Sequence, residues 1–263
     1  MKTVEDATAA ATLIGCGLRP KQVPTRDVVY GELVRRYRED PGFAQVVNGV
    51  AGGLGLRVLD VSPAGGVVLA AGHDSVFEIK METYARQAKI RERRDVEKVL
   101  HGIVHLAVAA LAFPRPADLA NDTYVGRVTV EQVDLMVREA CRLLDERADL
   151  AGTADPDADT PELEQVWRAY ARRPEVAATK DGRAAADSTR GMVARALRFL
   201  AEQGFLVPVA SEPDGLYRTT HRYQIQVREL AADRAFGELL ALGVVSIVDG
   251  SGRLRTTTDT LEG

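Results

Sequence analysis

The sequence predicts a mainly helical α+β protein with small β-hairpins, because one phrase is written three times. An amphipathic helix, a glycine, a hydrophobic strand, a glycine-bearing turn and a return strand follow one another in VVNGVAGGLGLRVLDVSPAGGVVLAA (46–71). The same order returns in ARALRFLAEQGFLVPVASEPDGLYRTT (194–220) and AFGELLALGVVSIVDGSGRLRTT (235–257). A helix that stops at glycine and feeds a hairpin builds a winged helix. A second observation is the stretch AGTADPDADTPE (151–162), which is small, acidic, broken by two prolines and without a large apolar side chain, as a linker is. Together they predict tandem winged-helix modules joined by a helical middle segment. An N-terminal arm covers 1–24, module 1 covers 25–82 and the middle segment 83–150. The acidic linker covers 151–162, and module 2 with a C-terminal helix-hairpin covers 163–263.

Residues 1–24 read as a short Ala/Thr-rich helix and then an extended arm ending in RPKQVP. Helical spacing begins at Thr25, with Val29, Leu33 and Tyr37 one turn apart. Asp40 and Pro41 fit the N-cap and first position of the next helix, in which Phe43, Val46, Val47 and Val50 form the apolar stripe. Gly52, Gly53 and Gly55 end it, and Leu56–Val61 with Val67–Ala71 then make a hairpin across Pro63 to Gly66.

The next helix is long. Its first part, RQAKIRERRDVEK (86–98), carries six basic and three acidic residues. Its second part places Val96, Val99, Leu100, Ile103, Val104, Ala107 and Leu111 on one stripe with further apolar residues beside it, as a central or dimer-forming helix would. Pro114 and Pro116 end it. Thr129 with Gln132 is a capping box for a helix whose stripe is Val133, Met136, Val137, Ala140, Cys141 and Leu144.

After the linker, Leu163, Val166, Trp167 and Tyr170 mark a helix, and Ser188 fits the cap of the following one. There Val193, Ala196, Leu197 and Leu200 face inward and Arg195 and Arg198 outward, with Gly204 as the C-terminal glycine. Phe205–Ala210 and Leu216–Val227 read as paired strands, Tyr223, Ile225 and Val227 alternating as on a half-buried strand. Pro208 then requires an edge position. A last helix over about 229–242 and a hairpin across Asp249 to Gly252 complete the pattern.

A net charge of −4 excludes a strongly cationic protein coating nucleic acid, though not a local basic patch. Cys16 and Cys141 are far apart and lack metal-ligand spacing, which points to a reducing compartment. Glu5 and Asp6 stand where a signal peptide needs positive charge, and the apolar run from Ile103 to Phe113 is too short for a bilayer. A cytoplasmic protein with no membrane partner is expected.

No catalytic constellation emerges, and no cofactor is implied. His101 and His105 are four apart, but no Glu stands between them and no local Cys or Asp completes a metal set, so packed histidines are the simpler reading. His73, Asp74 and Ser75 are adjacent, and adjacent loop residues cannot face one another as a triad must. The glycines from 49 to 55 follow a helix and precede a strand, the reverse of a phosphate cradle, and no Gly-Lys-Ser/Thr occurs. A non-enzymatic binding protein is expected.

A winged helix presents its second helix and its wing to DNA. In module 2, Arg190, Arg195 and Arg198 lie on or beside that helix, and Arg218, His221 and Arg222 on the return strand. Phosphate contacts there would make binding fall with salt by a slope near −0.9 each. An ordinary solvated face in an Arg-rich chain fits the same residues. The corresponding helix of module 1, FAQVVNGVAGG, is almost uncharged and suits a protein interface.

Two segments, PGFAQVVNGVAGGLGLRVLDVSPAGGVVL within 25–80 and STRGMVARALRFLAEQGFLVPVASEPDGLYRTTHRYQIQV within 188–228, carry a family resemblance. In order and pattern the chain resembles the MukE-like (KITE) accessory subunits of bacterial condensin-type SMC complexes, closest to the small subunit of Wadjet-type plasmid-defence systems. The resemblance implies a nucleoid-associated homodimer that holds a kleisin subunit and helps an SMC-like ATPase grip double-stranded DNA non-specifically, in chromosome segregation or plasmid defence. It implies DNA-binding positions at Arg190, Arg195, Arg198, Arg218 and Arg222. The alternative is a dimeric winged-helix transcriptional regulator with a defined operator.

Overall fold

The structure, a computed structural model, describes residues 2–72, 75–79, 84, 94–150, 167–175, 188–210, 215–231, 246–248 and 253–255. It is mainly helical with small antiparallel sheets. His73, Asp74, Leu163, Val166 and the turns at 211–214 and 249–252 lie outside the described residues.

The first core is built by three helices and a hairpin. Helix α1 (Lys2–Gly17) buries Ala10, Leu13 and Ile14, so much of the expected arm is a core element. Asp27 accepts from the Tyr30 amide at 3.0 Å and starts α2 (Val28–Glu39). Asp40 accepts from the Phe43 amide at 3.0 Å, with Pro41 at the first turn of α3 (Pro41–Gly53), as the sequence predicts. Of the stripe expected at Val29, Leu33 and Tyr37, Leu33 and Tyr37 pack partly buried against the core and Val29 does not. Tyr30 and Val34 are buried, while Val29 stands 59% exposed. The reason is polar as well as apolar: the Tyr30 hydroxyl accepts from the Val67 amide at 2.8 Å and ties α2 to the hairpin. That hairpin pairs β1 (Leu56–Ser62) with β2 (Gly66–Ala71), with an irregularity between Val58 and Asp60.

The second core joins helices from both sides of 151–162. It contains Leu100, Val104 and Val108 of α4 (Arg94–Ala112), then Val133, Val137 and Cys141 of α6 (Val130–Leu150). Tyr170 and the Met192, Val193, Ala196 and Leu197 face of α7 (Thr189–Glu202) complete it. Two predicted caps hold these helices. Thr129 and Gln132 exchange amide hydrogen bonds of 3.1 Å at the start of α6, and Ser188 accepts from the Gly191 amide at 3.0 Å. Between α4 and α6 lie the short α5 (Pro116–Ala120) and β3 (Arg127–Val128). Strands β4 (Leu206–Pro208) and β5 (Tyr217–Thr219) join β3 in a sheet of order β3–β5–β4, which puts Pro208 on an edge strand as expected.

The long return strand expected over 216–227 is a correction. Strand β5 ends at Thr219, and His221–Gln226 form helix α8, which continues as a π-type turn through Ala231. Thr220 caps α8 by accepting from the Tyr223 amide at 3.2 Å. The buried Gln224 amide then donates to the carbonyls of Asp118, Leu119 and Asn121 at 2.9, 3.2 and 2.8 Å, which fixes the helix against α5. Alternating Tyr223, Ile225 and Val227 mimic a strand, but tertiary satisfaction of Gln224 selects a helix. Near the C-terminus β6 (Ser246–Val248) pairs with β7 (Arg253–Arg255) as predicted. The helix expected before it lies largely outside the described residues.

Helix α8 also joins the two cores. The Gln226 amide donates to the Leu69 carbonyl of β2 at 2.7 Å, and His221 sits 4.0 Å from the Asp60 carboxylate of β1. Gly204 at the end of α7 lies against the backbone of Pro20. Among the described residues, no helix is long and apolar enough to cross a membrane.

Candidate nucleic-acid interface

The small sheet presents a paired cation. Arg127 of β3 and Arg218 of β5 are direct cross-strand partners, and both are exposed. Neither side chain has a hydrogen-bond or ion-pair partner among the described residues. Like charges directly opposite on a ladder destabilise it. A pair kept in that position is suited to an anion that lies across both guanidinium groups, as a phosphate backbone would.

The five arginines expected to form one DNA-binding face divide among separate environments. Arg190 is committed to carboxylates, donating to Glu175 at 2.6 Å and Glu131 at 3.4 Å. Arg195 is half-buried beside Tyr84 and His101; burial raises the Tyr84 pKa against the pull of the Arg195 charge, and burial lowers that of His101 with the help of that charge. Arg218 belongs to the sheet pair. Arg198 is exposed and Arg222 half-buried, and both line a separate groove.

That groove, of about 590 Å3, lies between residues 20–26, the hairpin turn at Ala64 and Gly65, and the β4 and α8 region of the second core. Its permanent cations are Lys21, Arg26, Arg198 and Arg222, against the single carboxylate of Glu202. Arg222 faces Tyr30 across the junction of the two cores, and burial lowers its pKa. A close backbone approach frames the groove: a Cβ on Gly204 would lie 2.0 Å from the Pro20 carbonyl oxygen.

The buried histidines form a different cluster. His101 is fully buried, where the sequence leaves it off the main stripe, and its Nδ1 lies 2.5 Å from the Tyr84 hydroxyl. The Tyr84 ring packs edge-on to His101, His105 and Phe199 at 5.1, 5.2 and 4.8 Å. Burial pushes His101 down to about 3, helped by the charges of His105, Arg195 and Arg173, and pushes His105 down to about 4. Both are therefore neutral aromatic core members at neutral pH. Among the described residues no group of three His, Cys, Asp or Glu side chains is placed to hold a metal. Burial raises the Cys141 thiol to about 12, so it behaves as a small apolar side chain.

Arg127, Lys21 and Arg26 are the cations that sequence reading left out. Strand β3 is two residues long and leaves no periodicity, while Lys21 lies in the expected N-terminal arm and Arg26 at the very start of the first module. No protein-family model matches the chain, and neither a curated protein nor a solved structure matches it.

Proposed function

We propose that the chain is a non-catalytic, DNA-contacting subunit built from two winged-helix units. The second unit runs helix, strand, helix, helix, strand, strand through α4, β3, α6, α7, β4 and β5, apart from the short α5 and the helical residues 167–171, and its sheet order β3–β5–β4 is that of a winged helix. The first unit, three helices and a hairpin, supports the same reading without the extra strand. The observation that carries DNA contact is the exposed Arg127–Arg218 cross-strand pair on the wing sheet, neither member of which has a partner among the described residues. It favours phosphate contact, which is independent of sequence. Arg190, on the helix that would enter the major groove, is held by two carboxylates, which argues against base reading by an operator-specific regulator.

A kleisin and an SMC-like ATPase are the partners this reading takes, on the resemblance of segments 25–80 and 188–228. An apolar trough of about 390 Å3 between α1 and α2, lined by Val4, Ala9, Val29 and Leu33, supports docking of an amphipathic partner helix. Affinity purification from the native cell with mass spectrometry tests the assembly. A long coiled-coil ATPase and a kleisin-like chain in fixed ratio are expected. Recovery of the protein alone, or only as a homodimer, would reject the assembly and favour the regulator.

A further inference from the structure

The groove gathers four permanent cations against one carboxylate. Lys21, Arg26 and Arg198 have no side-chain partner among the described residues. The terminal Nη2 of Arg222 and the Nδ1 of His221 are both buried without a hydrogen-bond partner. Arginine only donates, so such an atom awaits an acceptor. Several nearby carbonyls already accept hydrogen bonds. Those of Phe199, Leu200 and Ala201 accept from the Gln203, Phe205 and Gly204 amides, and Thr220 donates to the carbonyls of Gly204 and Phe205. The carboxylate that lines this wall is that of Glu202, and the Asp60 carboxylate stands 4.0 Å from His221.

The other part of the groove is apolar, formed by Val23, Val207, Pro208 and Tyr217. A volume of about 590 Å3 fits a small molecule. A DNA duplex is too wide to enter it. The complementary ligand has several negative charges at one end and a flat apolar body at the other.

We propose that this groove binds a nucleoside di- or triphosphate. Lys21, Arg26, Arg198 and Arg222 hold the phosphates, and the base lies against Val207, Pro208 and Tyr217. Because the cations come from both the N-terminal segment and the second core, the bound nucleotide clamps the two together. This assignment stands apart from DNA contact by the wing, whose arginines lie outside the groove lining.

Isothermal titration calorimetry of the full chain at low salt, with ADP, ATP and inorganic pyrophosphate as probes, tests it. Saturable one-to-one binding of ADP and ATP is expected, tighter than that of pyrophosphate. Arg198→Glu and Lys21→Glu, both at exposed positions, should each weaken ADP binding about tenfold or more with an unchanged melting temperature. Arg127→Glu should leave it unchanged. Three results would overturn the proposal: no saturation with ADP or ATP by about 1 mM, undiminished ADP affinity in both groove variants, or pyrophosphate binding as tightly as ADP. Weakened duplex-DNA binding by Arg198→Glu without any nucleotide binding would also overturn it, while leaving the wing's role in DNA contact standing.

Discussion

Replacing Gly204 by alanine perturbs the point where the N-terminal segment meets the second core, and a second glycine provides the control. Gly204 has φ of +75° and Gly215 has φ of +65°, so alanine meets the same backbone penalty at both, about 1–2 kcal/mol. Their surroundings differ. At 215 the new Cβ would meet only Val130 Cγ2 at 3.5 Å, an ordinary contact. At 204 it would lie 2.0 Å from the Pro20 carbonyl oxygen and 2.8 Å from its carbon. Both are backbone atoms, so no side-chain rotation relieves the overlap, and about 1–3 kcal/mol is added as for an overpacked core. Gly204→Ala should therefore cost about 2–5 kcal/mol and Gly215→Ala about 1–2. Urea unfolding with linear extrapolation measures both. Asparagine sharpens the comparison, because it tolerates left-handed backbone yet keeps the Cβ. It should rescue position 215 and not position 204. Equal losses for the two alanine variants, or rescue by Gly204→Asn, would refute the close approach of Pro20 and the groove it frames.

Three further outcomes follow from particular contacts. Arg127→Glu turns a like-charge cross-strand pair into an opposite-charge pair, so it should raise stability by roughly 0.2–1 kcal/mol while weakening DNA binding; a loss of stability in urea would contradict the pairing with Arg218. His101 is held neutral, so above the unfolded value near 6.5 it has no pH effect, and as pH falls the unfolded chain takes up a proton that the folded protein refuses until about 3. By pH 5 this removes about 2 kcal/mol, and His101→Phe should flatten the pH 7 to 5 profile by that amount; an unchanged profile would show His101 to be accessible. Tyr30→Phe leaves the buried Val67 amide unpaired and should cost about 1–3 kcal/mol by chemical denaturation, a value near zero contradicting the 2.8 Å bond.

Local signals in the chain were legible where one side chain or one turn decides the outcome. Asp40, Ser188 and the Thr129–Gln132 box cap the helices they predict, and Pro208 lies on an edge strand. The misreadings arise where distant contacts decide. Alternation at Tyr223, Ile225 and Val227 looks like a strand until Gln224 is seen to satisfy three carbonyls of the α5 region. On α2, Leu33 and Tyr37 pack as expected, but the fully buried positions are Tyr30 and Val34, because Tyr30 reaches the hairpin backbone, which spacing alone does not record. The arginines were visible as residues, but which of them are free depends on Glu131 and Glu175 for Arg190 and on the core junction for Arg222. The groove joins Lys21 and Arg26 to Arg198 and Arg222 from opposite ends of the sequence, so no window of sequence contains it.

The most direct test of DNA contact by the wing is the salt dependence of duplex-DNA affinity for the native protein and for Arg127→Glu with Arg218→Glu. Loss of two phosphate contacts should lower the magnitude of the log–log slope by about 1.8, equally for unrelated sequences. A slope unchanged by the double charge reversal, or binding confined to one defined sequence, would contradict the account.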